Sequence, residues 1–476
     1  RPEPKFLGKG DPAIADVPHL VAEMRESFLA GASRPYAVRV QQLRSLLALV
    51  EENEEAIIAA LAADLGRPRV EAVLYDVVTP KNEIKELIHN LRAYLRPEPV
   101  SESSATFPSK GYLYKEPVGL VSVIGTWNFP VMLCLVPLAG AIAGGNCVIV
   151  KPSKVAPNVA ALLGDLIPKY LRSDIVAVVG HTHEGDRTMT GALLDNKFDH
   201  VFFTGSPGVG KVIMEKAAKF LTPCTLELGG KNPVFVAADA NVDLAAKRVL
   251  WGRMLNAGQQ CIAPDYVLIE KQVAPAFYEA CKKWLQVFYE GHPETPGTIG
   301  RIVNERRMRA LKDVLTTHGG EVIAGGTFDM ATKYVAPTVL KVTKDSSAMV
   351  DELFGPILPV MEVDTVKDAV RYVAHRDKPL SMYIFSSSKA TQELILQNTS
   401  AGGVTINGTI FHCAHPELPF GGVGASGMGA YHGKATFDTF VHRKPVLRKS
   451  TLLDPSFMYP PWTDRKAGLL RFLLSK

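Results

Sequence analysis

The sequence is poor in features that mark several protein classes. Its six cysteines, at positions 134, 147, 224, 261, 281 and 413, form no Cys-x-x-Cys pair and are far too sparse for a disulfide scaffold in 476 residues. That sparseness points to a reducing compartment. The 12 histidines include no His-Glu-x-x-His and no His-x-His backed by a carboxylate, so no metal is expected. His181 and His183 flank one threonine and read as a solvated loop after a strand. Net charge is only +5, from 53 basic and 48 acidic residues. With no Lys/Arg block and no aromatic-basic alternation, no nucleic-acid partner is expected. No apolar run is long enough to span a bilayer, and the first residues, starting at Arg1, carry no signal-peptide core. The expected location is intracellular, either cytoplasmic or peripheral to an internal membrane.

What is present fits a globular protein of more than one core. The hydrophobic fraction is 47% and the charged fraction 21%, ordinary values for a folded domain, and the length implies two or three domains. Residues 17–65 and about 70–95 have apolar side chains at helical spacing, with Gly66 as a stop. Residues 100–116 alternate in polarity and read as a hairpin or arm outside the main core. From Gly119 onward, short continuous apolar runs at 120–124, 147–150, 175–179 and 201–203 alternate with helical segments at 130–144, 156–171 and 208–220. Such runs suit a parallel sheet covered on both faces, the Rossmann-like α/β arrangement of a dinucleotide domain. A second α/β region begins after Gly230, with strands expected near 232–237, 266–269, 336–340 and 382–385. The predicted division is 1–97 with 121–228 for cofactor binding and 229–413 for catalysis. Residues 98–120 with 414–450 are expected to form a small β-arm, and 451–476 a tail. The end of that tail (467–476) is short, apolar and basic, able to dock on the protein or on a membrane surface.

Several segments could carry chemistry. Asn-Ala-Gly-Gln-Gln-Cys at 256–261 sets Cys261 after a glycine-bearing loop, and Glu227 stands in Leu-Glu-Leu-Gly-Gly. Together they suggest a covalent catalyst and its base, though free cysteines are more often core filler. Phe-Thr-Gly-Ser-Pro-Gly-Val-Gly-Lys at 203–211 follows a strand and opens a helix, so Gly205, Ser206 and Gly210 could let a pyrophosphate approach. A plain strand–turn–helix is the alternative. Lys151 ends a strand, where it could bind ribose hydroxyls or a phosphate, or simply mark the strand end. Asn128, in Gly-Thr-Trp-Asn-Phe-Pro, offers a neutral donor for an oxyanion or a turn cap, with Trp127 and Phe129 as possible pocket walls. Glu352, in Asp-Glu-Leu-Phe-Gly-Pro, could grip ribose hydroxyls beside Phe354, or be a solvated loop acid.

In order, these segments resemble the aldehyde dehydrogenase superfamily over about residues 15–450. Gln-Gln-Cys-Ile-Ala-Pro-Asp-Tyr, Pro-Phe-Gly-Gly-Val-Gly-Ala-Ser-Gly-Met-Gly-Ala-Tyr-His-Gly-Lys and Tyr459-Pro-Pro are most similar to its class 3 branch, which includes fatty aldehyde dehydrogenases. The resemblance implies a cofactor domain, a catalytic domain and a β-arm used in dimerisation. It implies Cys261 as nucleophile, Glu227 as general base, and Asn128 with the Cys261 N–H as oxyanion donors. It also implies Gly205, Ser206 and Gly210 at the pyrophosphate, Lys151 at the adenosine ribose, and Glu352 with Phe354 at the nicotinamide ribose and ring. The implied cofactor is NAD or NADP, the substrate a medium- or long-chain aliphatic or an aromatic aldehyde, and the assembly a homodimer. In many similar proteins the residue three after the ribose lysine is a glutamate. Lys154 stands there instead, which favours tolerance of a 2′-phosphate. An acyl-CoA-forming relative would be expected to lack Glu227, and a non-catalytic binding relative to lack one of the three reacting groups.

Overall fold

The computed structural model describes residues 6–7, 10–102, 106, 109–182 and 186–474. His183 and residues 103–105 and 107–108 of the expected arm lie outside them. The amino-terminal helical stretch is three helices, Val17–Leu29, Tyr36–Glu52 and Glu54–Leu65. Left-handed Gly31 and extended Pro35 interrupt the first two, which a single amphipathic reading overlooks. The next stretch runs through Arg69–Ala72, a wide π-type turn at Val73–Val78, and Thr79–Tyr94.

Two sheets dominate. The six-stranded sheet has the spatial order Gly427–Met428, Cys224–Leu228, His200–Gly205, Leu120–Ile124, Cys147–Lys151, Val176–Val178. Its five main strands are parallel, and Gly427–Met428 is antiparallel at one edge. Leu120–Ile124 and Cys147–Lys151 are buried at every position, as their unbroken apolar runs require of a sheet covered on both faces. The chain starts in the middle, steps outward one way, then crosses back to His200–Gly205. The order therefore reverses between Leu120–Ile124 and His200–Gly205. Outside the carboxyl ends of strands at such a reversal lies the crevice where α/β sheets bind ligands.

The seven-stranded sheet has the order Glu321–Ala324, Thr338–Val342, Ile357–Val363, Tyr266–Glu270, Pro233–Val236, Ser381–Phe385, Gly403–Ile406. Only its first pair is antiparallel. Apolar almost all round, helix Met132–Gly144 is buried from Leu133 to Gly144 and packs against Tyr36–Glu52 and Thr79–Tyr94. The arm is a three-stranded antiparallel sheet of Glu98–Pro99, Lys110–Pro117 and Val441–Arg448. Its long pairing is made with Val441–Arg448, hundreds of residues away in sequence, rather than within 100–116. Lys115, buried in this sheet, pairs with Glu98 at 2.8 Å. The tail ends in helix Asp464–Leu474, where Phe472 is 80% exposed. Among the described residues, no helix is long and apolar enough to cross a membrane.

Candidate active site

Asn128, Gly205, Ser206, Glu227, Cys261, Glu352 and Phe354 all line one cavity of about 170 Å³ at the sheet reversal. They arrive on five separate loops or strands, so the convergence is a product of topology.

Half-buried Cys261 follows a tight reversal in which Asn256, Ala257 and Gly258 all have left-handed φ, at 51°, 52° and 73°. Two of these are not glycine, and each such residue costs about 1–2 kcal/mol. Side chains from other elements hold the turn. Asn256 N–H donates to Glu71 Oε2 at 2.8 Å, and its Nδ2 donates to the carbonyls of Asn128 at 2.9 Å and Gln259 at 3.0 Å. Gln259 Nε2 donates to the Asn256 and Arg301 carbonyls, both at 3.0 Å. Gly258 must be glycine for a second reason, because a Cβ there would strike the Gly355 carbonyl. On the far side, Asn232 Nδ2 donates to the Cys261 carbonyl at 2.8 Å.

Asn128 lies on the loop after Leu120–Ile124 and is buried, with Nδ2 donating to the Gln259 carbonyl at 3.2 Å. Trp127 beside it meets Phe354 edge to face, ring centroids 5.4 Å apart. Phe129 is buried in the core behind Asn128.

Glu227 is in strand Cys224–Leu228, between Thr204 on the parallel neighbour and Gly427 on the antiparallel one. Its side chain is enclosed, and neither carboxyl oxygen has a hydrogen-bond partner among the described residues. Burial holds its proton affinity well above the ordinary carboxylate range. Burial likewise pushes the Cys261 thiol up, with nearby Glu352 and then Glu227 adding to the effect. Burial thus biases both groups towards their neutral forms. A positive charge entering the cavity would favour ionisation of both.

The cofactor-type features cluster on the same crevice. Helix Pro207–Ala218 begins with Ser206 as N-cap, whose side chain makes no capping bond. Gly208 faces open space, and Gly210 packs so tightly on Leu228 that a Cβ would come within 2.9 Å of it. The start of a helix with open space of this kind can accept an anionic group. Glu352 is half-buried, with its enclosed Oε1 unpartnered among the described residues. Burial first, then Asp265, raises its proton affinity to about 8. A Cβ on Gly229 would lie 2.8 Å from Glu352 Oε1, so this glycine leaves room for the carboxyl. Phe354 has φ 50°, and the Arg307 guanidinium lies 5.9 Å from its ring centre.

Lys151, Lys154 and Gly210 do not line the cavity. Lys151 is buried at the end of Cys147–Lys151, with Nζ donating to the Pro152 carbonyl at 3.3 Å. Lys154 reaches the Thr182 carbonyl at 2.9 Å. Sequence reasoning missed Arg306, Arg307 and Thr204, which line the cavity, and Arg67 and Asp76, which stand behind it. Only Asp76 left a signal, as a lone acid within the apolar run 73–78.

With this geometry established, comparison with known proteins gives a consistent picture. The profile of the aldehyde dehydrogenase family matches residues 11–446. The chain is 42% identical over 459 residues to aldehyde dehydrogenase family 3 member A2 of Mus musculus, covering 96% of this chain and 94% of that protein. It is 40% identical over 451 residues to the dimeric NADP-preferring aldehyde dehydrogenase of Rattus norvegicus, covering 94% and 98%. Among solved structures, the substrate-bound AldH of Staphylococcus aureus superposes with a TM-score of 0.93 at 37% identity, covering 96% of this chain and 99% of that one.

Proposed function

As the chain belongs to the aldehyde dehydrogenase family and oxidises aldehydes to carboxylic acids with NAD or NADP, we propose that Cys261 is its nucleophile, Glu227 its general base, and Asn128 with the Cys261 N–H its oxyanion donors. The observation that carries this reading is the enclosed carboxyl of Glu227, without a hydrogen-bond partner among the described residues, on the same cavity as Cys261 and Asn128. A buried polar group without a partner costs about 1–3 kcal/mol, so its retention there suits a group kept for chemistry.

The ionised Cys261 sulfur bonds to the aldehyde carbon, and the carbonyl oxygen takes up negative charge. Asn128 Nδ2 and the Cys261 N–H stabilise that charge without titrating. When bound, the nicotinamide cofactor supplies the hydride acceptor and a positive ring that favours the thiolate. Loss of hydride leaves a thioester on Cys261. Glu227 then takes a proton from water as the water oxygen adds to the thioester carbonyl, and the carbon–sulfur bond breaks to release the acid. Hydrolysis by Glu227 argues against an acyl-CoA-forming reaction.

The chain's residues fit the cofactor. Gly205, Ser206 and Gly210 at the helix start would hold the pyrophosphate. Lys151 would hold the adenosine ribose, and Glu352 with Phe354 the nicotinamide ribose and ring. Lys154 would face the 2′ position and admit NADP beside NAD. We further propose medium- or long-chain aliphatic or aromatic aldehydes as substrates and a homodimer built through the β-arm, whose outer strand Val441–Arg448 is largely exposed. The tail helix, with Arg465, Lys466 and Arg471 beside exposed Leu469 and Phe472, suits peripheral contact with a membrane surface. The corresponding division is 1–97 with 121–228 for the cofactor, 229–413 for catalysis, and 98–120 with 414–450 for the arm.

Two variants test the core of this reading. Cys261→Ala should abolish turnover while cofactor binding, followed by fluorescence, stays within twofold of wild type. Glu227→Gln should release one NADH equivalent per site in a burst and then turn over roughly a hundred- to ten-thousandfold more slowly. Retained turnover in the first, or a lost burst in the second, contradicts the assignment.

A further inference from the structure

Arg67 follows helix Glu54–Leu65, and Asp76 sits in the wide turn Val73–Val78. Their side chains are fully enclosed and form an ion pair. A buried pair of this kind contributes little net stability, because desolvation of both charges offsets their attraction. What the pair grips is more informative.

Its remaining hydrogen bonds go to one region. Arg67 Nη2 donates to the Asn128 backbone carbonyl, and Nε donates to Asn256 Oδ1 at 3.2 Å. Asp76 Oδ1 accepts from the Val131 and Met132 amides at 3.0 and 2.9 Å, just beyond Asn128. The guanidinium also lies 4.8 Å from the centre of the intervening Phe129 ring. Asn256 extends the hold, since its amide bridges the Asn128 and Gln259 carbonyls at 2.9 and 3.0 Å. The backbone from 128 to 132 is thus clamped by charge-assisted bonds, while Asn128 itself lines the cavity. The same clamp reaches, through Asn256, the left-handed turn that delivers Cys261.

We infer that Arg67 and Asp76 are a positioning pair for the oxyanion pocket, fixing the Asn128 amide and the Cys261 N–H relative to each other. The inference rests on the reading of Asn128 as an oxyanion donor. Preorganised donors act only where the charge develops, and a misplacement of about 1 Å can cost on the order of a hundredfold in rate.

The test uses the full-length enzyme and the rate of the first NADH burst at saturating cofactor and aldehyde, with the NADH dissociation constant measured alongside. Arg67→Met should slow the burst by about thirty- to a hundredfold, with NADH affinity within twofold and Arg67→Lys intermediate. In an Asn128→Ala background, the same Arg67→Met change should slow the burst by less than about threefold, because its main target is gone. An equal loss in both backgrounds overturns the positioning role. A burst unaffected by Asn128→Ala alone overturns instead the oxyanion reading on which the inference stands. If Arg67→Met does not fold, Asn256→Gly keeps the ion pair and the left-handed turn but removes the bridge. It should slow the burst about tenfold at unchanged NADH affinity, and an unchanged burst overturns the inference.

Discussion

Replacing Glu227 with glutamine keeps the size of the side chain and removes its ability to ionise, which makes its effect on stability calculable. In the folded protein the carboxyl is enclosed and has no hydrogen-bond partner among the described residues, and burial holds its proton affinity well above the ordinary range. In the unfolded chain it titrates near the ordinary value of about 4.3. Above that pH the folded state keeps a proton that the unfolded state has released. Stability therefore falls as pH rises, and continues to fall until the folded carboxyl itself ionises. The slope from this one group is about 1.4 kcal/mol per pH unit. Glutamine removes it, so Glu227→Gln should gain steadily on wild type as pH rises above the unfolded value, by up to about 1.4 kcal/mol per unit while the folded carboxyl keeps its proton.

Denaturant melts of both proteins at half-unit pH steps measure this difference, and other titrating groups cancel in the comparison. The fluorescence midpoint must be reversible for the energies to be read directly. Parallel stability curves with no relative gain for the glutamine variant would refute the reasoning. That outcome would mean the folded carboxyl is ionised and compensated, and that its burial does not set its protonation. The same physics bears on turnover. Glu227 acts as a base only when ionised, so thioester hydrolysis should accelerate as pH rises above the ordinary carboxylate range.

Three further substitutions have definite expected outcomes. Glu352 has a proton affinity raised to about 8, so if its carboxylate grips ribose the KM for NAD should fall between pH 7 and 9; Glu352→Gln should remove that dependence and raise KM about ten- to a hundredfold, the loss of a charged hydrogen bond. Gly229→Ala would bring a Cβ against the Glu352 carboxyl, the end of a flexible side chain that swings aside at little cost, so cofactor binding should weaken while Tm stays nearly unchanged. Lys154→Glu should lower the NADP to NAD ratio of kcat/KM by more than tenfold through repulsion of the 2′-phosphate; an unchanged ratio removes Lys154 from the cofactor site.

Much of the scaffold was legible because it is written in continuous apolar runs. The runs at 120–124, 147–150 and 201–203 could be little other than strands buried on both faces, and they are. Cys224–Leu228 was harder. Its Cys-Thr-Leu-Glu-Leu is short and mixed, and Glu227 reads as a polar break where the structure has a strand. Its partner Gly427–Met428 is two residues long and two hundred positions away, so no local pattern could have supplied it. Within the arm, to which 98–120 and 414–450 are both assigned, the strand pairing was hidden in the same way, since Lys110–Pro117 finds its long partner in Val441–Arg448 rather than in a hairpin of 100–116. Pairing between distant short strands is decided by tertiary packing, which periodicity does not encode.

The site shows a different boundary. Cys261, Glu227, Asn128 and Glu352 could be named because their side chains do the facing, and side-chain chemistry is what a sequence records. Arg67 was not named, because the atom it holds at Asn128 is a backbone carbonyl oxygen, which every residue possesses. Asp76 comes between these cases. An acid within Val-Leu-Tyr-Asp-Val-Val faces burial whichever way the helix turns, and a buried carboxylate left alone is costly enough to demand a cation or several amides. That demand was readable from residues 73–78, and Arg67, nine positions before Asp76 across a proline, was a nearby cation able to meet it. Treating a stranded charge as a request for a partner, and asking what else that partner must then touch, leads from an apolar run to the backbone behind Asn128. Side chains that hold other residues in place are therefore partly accessible to sequence reasoning, through the cost of leaving a charge unpaired.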